Sequence, residues 1–136
     1  DHGGYALKQA VIKHLEDKGY AVKDYGCYSE ESCDYPVYAK AVANAVKDGK
    51  VEKGILICGT GIGISITANK IKGIRAALCS DTFSAHATRE HNDANILAMG
   101  ARVVGEGLAL DIVDTFLETE FSNDERHIRR INQIED

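Results

Sequence analysis

Apolar and polar positions change rhythm several times along this chain. Between Tyr5 and Lys18 the apolar residues Leu7, Val11, Ile12 and Leu15 recur three and four apart, the period of one helix face. Gly19 ends that helix. Tyr20–Tyr25 reads as a strand, and Tyr35-Pro36 opens a second helix running to about Asp48, with Gly49 behind it. Gly54–Cys58 is an unbroken apolar run, a strand buried on both faces. The pattern then predicts a helix over Ile62–Ile71, a strand over Ile74–Cys79, and a helix over Asp81–His91 that Asp81 or Thr82 caps. A strand over Ala94–Met99 follows, then helices over Gly107–Leu117 and Asp124–Ile134. Without repeat, linker or low-complexity tract, residues 1–136 make one domain.

Strands alternating with helices imply a parallel sheet covered by helices. Ligands of such folds sit beyond the carboxyl ends of the strands. The loops to watch are therefore 26–34, 59–61, 80–82 and 100–106. The sequence opens on Asp1-His2-Gly3-Gly4, which has the look of a loop between a strand and a helix. A strand of about six apolar residues is expected ahead of it, enough to cross a sheet. Counted in, it makes the sheet five-stranded.

Hydrophobic residues make up 44% of the 136, enough to fill a core, and the net charge is −5 with no long basic run. Nucleic acid and anionic membrane surfaces are thereby poor partners. No apolar stretch approaches the ~20 residues that span a bilayer. Four cysteines, at 27, 33, 58 and 79, show no CxxC spacing, and a reduced, cytoplasmic protein is expected. Cys27 and Cys33 read as packing residues.

The chemistry gathers at "ICGTGIGIS", residues 57 to 65. The glycines at 59, 61 and 63 lack the G-x-G-x-x-G spacing of a dinucleotide loop and the Gly-Lys-Ser/Thr ending of a P-loop. What remains is a strand, a glycine-rich turn and a helix start with Ser65 in its first turn. Such a start offers unpaired N–H groups to a phosphate or a transient oxyanion. The other reading is a tight turn that merely packs. Cys58 stands where the positive helix end favours a thiolate, or is a buried strand-end cysteine. A base beside an anion hole suits removal of a proton alpha to a carbonyl.

Asp1-His2 ends the inferred first strand, as catalytic groups or as a helix cap. His91-Asn92 closes a helix and reads either way too. Arg126 and Arg130 lie four apart on one helix face, suited to a phosphate or simply solvated; Arg102, after the last strand, is placed to join them. His14 and His86 read as structural. Cys58, His2 and His91 together form the only constellation for a metal, and no paired ligand spacing supports it. Neither metal nor cofactor is expected.

"DHGGYALK", "DYP", "GILICGTGIGISI", "GIRAALCSD", "REHNDAN", "AMGARV" and "RHIRRI", in this order, resemble the ribose-5-phosphate isomerase B family, which also contains allose- and galactose-6-phosphate isomerases. The resemblance implies a Rossmann-like α/β/α sandwich and a metal-free aldose–ketose isomerase of the pentose phosphate pathway. It makes Cys58 the base between C2 and C1, Thr60 an aid to proton movement between O1 and O2, and the amides of 59 to 65 the support of an ene-diolate. Gly59, Gly61, Gly63 and Ser65 thus join the substrate site. Asp1 and His91 match residues linked with ring opening, Asn92 and Tyr35 residues lining the sugar pocket, and His2, Arg102, Arg126 and Arg130 the phosphate set. Some members place a Glu base where Ile64 stands, so here the burden falls on Cys58. The family implies a homodimer or tetramer with sites at the dimer interface. A six-carbon phosphosugar as substrate, and a non-catalytic phosphate- or nucleotide-binding module, are the alternatives.

Overall fold

Three apolar runs pair into a parallel sheet. In the computed structural model, which describes residues 1–136, β1 (Gly54–Cys58), β2 (Ala76–Leu78) and β3 (Ile96–Gly100) lie in the order β1-β3-β2. Gly54 pairs with Ile96 and Cys58 with Gly100; Ala76 meets Ile96 from the other side. Central β3 is buried throughout.

Around the sheet run α1 (Tyr5–Asp17), α2 (Tyr35–Lys47), α3 (Ile62–Ala68), α4 (Thr82–Asn92), α5 (Glu106–Glu118) and α6 (Glu125–Glu135). Period-two alternation along the strands decides which layer each residue meets. Ile57, Leu97 and Met99 face Leu7, Val11 and Leu15 of α1 and Ile112, Val113 and Phe116 of α5. Leu56, Cys58, Ile96 and Ala98 face Ala39 and Ala43 of α2 and Ile64 and Ala68 of α3. Two cores on one sheet give the expected α/β/α layering. Asp81 caps α4, its Oδ1 accepting from the Ser84 amide at 2.6 Å. No helix is long and apolar enough to cross a membrane.

The five-stranded expectation is corrected: three strands form, and 20–25 is irregular. A strand needs a partner for its amides. Between 20–26 and the free edge of β1 lies instead a groove of about 620 Å³, lined by Val11, Ile12, Val22, Val42 and Ile55. Helix α3 also stops short, at Ala68 rather than Ile71.

Candidate active site

The carboxyl ends of β1 and β3 carry the glycine turn. Gly61 holds φ at +79°, and a Cβ there would land 2.5 Å from Leu78 Cδ1 and 2.7 Å from the Met99 carbonyl carbon. Only glycine satisfies both demands. A Cβ on Gly63 would fall 2.6 Å from the Tyr35 ring, so this ring lies directly on the start of α3. The Cys58 and Gly59 carbonyls accept from the Ala101 and Arg102 amides at 2.9 and 3.0 Å, which pins Arg102 beside the turn. On the other flank the Asp1 backbone nitrogen donates to the Ile57 carbonyl, and Gly3 packs on the Gly59 amide.

Within the turn the Gly61 amide donates to Cys58 Sγ at 3.0 Å, and the Ile62 amide to Thr60 Oγ1 at 3.2 Å. The amides of Gly59, Thr60, Gly63 and Ile64 have no partner in the chain. Ser65 differs from expectation: its amide donates to the Gly61 carbonyl at 3.2 Å and its hydroxyl to the Ile62 carbonyl at 2.8 Å, so both serve the helix. With only seven residues α3 has a weak dipole, and the anion-binding capacity rests on individual free amides, those of Gly59 and Thr60 in the loop and of Gly63 and Ile64 in the first turn of α3. Cys58 is 6% exposed, one layer beneath exposed Thr60. Cys79, the other strand-end cysteine, is a different case: burial, then the Asp81 carboxylate, push its thiol up to about 11.

Asp1 and His2 join this cluster. Asp1 Oδ1 accepts from the Gly3 amide at 2.9 Å, the cap reading, and the carboxylate stands 4.0 Å from His2 Nδ1. The Cys33 amide donates to His2 Nδ1 at 3.1 Å, while the His2 amide donates to Cys33 Sγ at 3.3 Å. An imidazole accepting at Nδ1 carries its proton on Nε2, which then presents a donor to an incoming oxygen.

His91, Asn92, Arg126 and Arg130 are elsewhere. Helix α4 leaves β2 at its carboxyl end and returns antiparallel, so His91 and Asn92 lie near the amino end of the sheet, where the Asn92 carbonyl accepts from Arg75 Nε at 2.9 Å. Helix α6 packs against α4, with exposed Arg126 and Arg130 on its surface. At ~3.3 Å per residue, the length of β3 alone keeps this group about 13 Å from the Cys58 end. Within one chain His91 therefore does not meet Cys58 and His2, nor do Arg126 and Arg130 meet Arg102; this is the separation expected if, as the family resemblance implies, Arg126 and Arg130 reach a partner subunit's pocket. The candidate residues thus form two groups, candidate half-sites at opposite ends of the sheet. No three His, Cys, Asp or Glu side chains converge as metal ligands.

Sequence reasoning missed Cys33, which orients His2, and His127, which stacks on His91 with ring centroids 4.6 Å apart. "RHIRRI" contains His127, but a helical histidine among arginines gives no sign of facing inward. Cys33 carries no local signal at all.

The model of the Ribose/Galactose Isomerase family matches residues 1–134. The chain belongs to that family. Ribose-5-phosphate isomerase B of Escherichia coli is 52% identical over 134 residues, which cover 98% of this chain and 89% of the relative. Among solved structures, ribose-5-phosphate isomerase B of Clostridium thermocellum superposes with a TM-score of 0.98 at 56% identity, covering 99% of this chain and 90% of that one. The Mycoplasma genitalium enzyme, solved with bound ribulose-5-phosphate, superposes at 0.94 with 42% identity, covering 99% and 90%. Family members of this kind act on sugar phosphates, and the basic and amide donors at both half-sites are of the type a phosphosugar needs.

Proposed function

We propose that this chain interconverts D-ribose 5-phosphate and D-ribulose 5-phosphate. The observation that carries the reading is Cys58 lying beneath a turn whose amides at 59, 60, 63 and 64 are free, with His2 and Arg102 at its rim. The Cys58 thiolate takes the C2 proton of the open-chain aldose. Charge moves onto O1, where the loop amides receive it, and donors fixed in advance are worth several kcal/mol there. Thr60 passes the proton from O2 to O1, and Cys58 returns its own proton to C1. Atoms and charge balance without an external reagent.

Ring opening needs His91 beside Asp1, and phosphate binding needs Arg126 and Arg130 beside His2 and Arg102; because these pairs stand on different half-sites, the working unit is a two-fold dimer. Cys58, Thr60, Asp1, His2, Tyr35 and Arg102 of one chain face His91, Asn92, Arg126 and Arg130 of its partner. An isologous contact brings each half to its complement twice over. The exposed apolar side chains Val37, Ile62, Ile66, Leu78 and Phe83, grouped about the glycine turn, support this contact face. The reading sets the chain among cytoplasmic sugar-phosphate enzymes. The groove beside β1 supports a five-stranded sheet in which a further extended apolar strand pairs with β1 on one side and 20–25 on the other.

Incubation with ribose 5-phosphate in D2O tests the function. Deuterium should appear at C1 or C2 as the ketose forms; tight binding without exchange would instead mark a binding module. Parallel rates on allose 6-phosphate and galactose 6-phosphate decide the sugar. Faster turnover of either would move the assignment to a six-carbon substrate.

A further inference from the structure

Helix α6 exposes Glu125, Arg126, Arg129 and Arg130 and buries one residue, His127, which is 6% exposed. A leucine would fill such a position at no polar cost, so the imidazole calls for a reason. Its face lies against His91, the ring centroids 4.6 Å apart and the planes inclined by 38°. Its Nδ1 is 2.7 Å from Ser122 Oγ. That hydroxyl accepts from the Asp124 amide at 3.1 Å, leaving its own proton for His127 Nδ1. The Ser122 amide in turn donates to the Glu90 carbonyl at 3.1 Å, in the last turn of α4. The ring is thus tied at one atom to the helix that carries His91. His91 itself is half-exposed, and its one other polar contact is Glu90 Oε1 at 3.4 Å. Without the stack its side chain would be free to change rotamer at a helix end.

We infer that His127, anchored by Ser122, is the positioning residue that aims His91 at the sugar ring. This rests on the reading of His91 as the ring-opening group. The same helix presents Arg126 and Arg130, so phosphate capture and the aim of the acid are built on one rigid element.

The substrate pair separates this role from the proton transfer. Ribose 5-phosphate closes a ring through its C4 oxygen. Ribulose 5-phosphate cannot, because the C5 oxygen that would close its five-membered ring is esterified. Exchange of its C1 proton in D2O therefore needs Cys58 and no ring chemistry. In His127→Ala, kcat on ribose 5-phosphate should fall about tenfold or more with KM within about twofold, while the exchange rate into ribulose 5-phosphate stays within about twofold of wild type. His127→Phe, which restores a flat ring, should recover most of the loss. Ser122→Ala should act in the same direction and more weakly, and it decides the matter by the same ratio if His127→Ala does not fold. Equal loss of exchange and conversion, or no loss of conversion, overturns the inference. Absence of exchange in the wild-type protein would strike the isomerase reading instead.

Discussion

The two ends of the sheet hold opposite kinds of site. At the carboxyl end the candidate half-site is mostly backbone: a turn of three glycines, four free amides and one sulfur, packed so closely that Gly61 and Gly63 admit no Cβ. At the amino end the candidate half-site is made of side chains: two arginines and an imidazole on helix surfaces, the imidazole stacked on a buried histidine. A backbone site is rigid because displacing it breaks the core. A side-chain site is adjustable and needs a second layer to hold it. The proposed function accordingly puts catalytic charge development at the first and part of substrate capture at the second.

The sharpest way to break this division is to remove one half at a time. Cys58→Ala should lower kcat by about 10³, within the usual span for a general base, with KM little changed. A mixture of this variant with Arg126→Ala/Arg130→Ala should regain about a quarter of wild-type activity if the halves meet across a two-fold axis. No regain would mean that both halves serve one chain, and a near-normal rate in Cys58→Ala alone would remove the sulfur from the chemistry.

Gly61→Ala attacks the backbone half by geometry. A left-handed φ and the clash with Leu78 and Met99 should together cost about 3 kcal/mol, read as a fall in the denaturation midpoint. Stability within error of wild type would mean that the turn relaxes and is not held by the core. Arg130→Ala tests the adjustable half and should raise KM about tenfold with kcat nearly kept. An unchanged KM would leave Arg130 as a solvated residue.

The smallest effect lies away from both halves. Burial pushes the Asp114 carboxyl up, but hydrogen bonds from His14 and Lys18 outweigh it and hold the group below its ordinary range. A depressed folded value means stability that is present above the unfolded value near 3.8 and is lost as pH falls through the folded value. Asp114→Asn should therefore cost less than about 1 kcal/mol at neutral pH, and nothing once the solution is more acidic than the folded value. A penalty that persists in strong acid would point to packing between α1 and α5 rather than charge.

The same contrast explains what could be read from the sequence. Helices announced themselves through spacing and caps, as Leu7-Val11-Leu15 and Asp81 did. The glycine turn was legible because its chemistry is local, five residues ending in a helix. Segment 20–25 carries a strand's pattern yet is irregular, because a strand is a relation between two segments and here the adjacent place holds a groove. Ser65 looked like a ligand because a serine in a first helical turn has two uses, and only the contact with the Ile62 carbonyl tells which. The histidine pair depends on how α6 lies across α4, which no local pattern encodes. That Cys58 and His91 sit at opposite ends follows from one fact of connection, the antiparallel return of α4, which the order of elements already implies.

Under the proposed function, the distance between Cys58 and His91 makes solitude and turnover incompatible. On the proposed roles of Cys58 and His91, a lone subunit would own a base at one pole and an acid at the other, with a sheet between them, and no bending of side chains would bring the two to one sugar. On the paired arrangement, specific activity becomes a reporter of association. Progressive dilution should silence turnover along the curve of subunit separation, while the fold of each separated subunit survives.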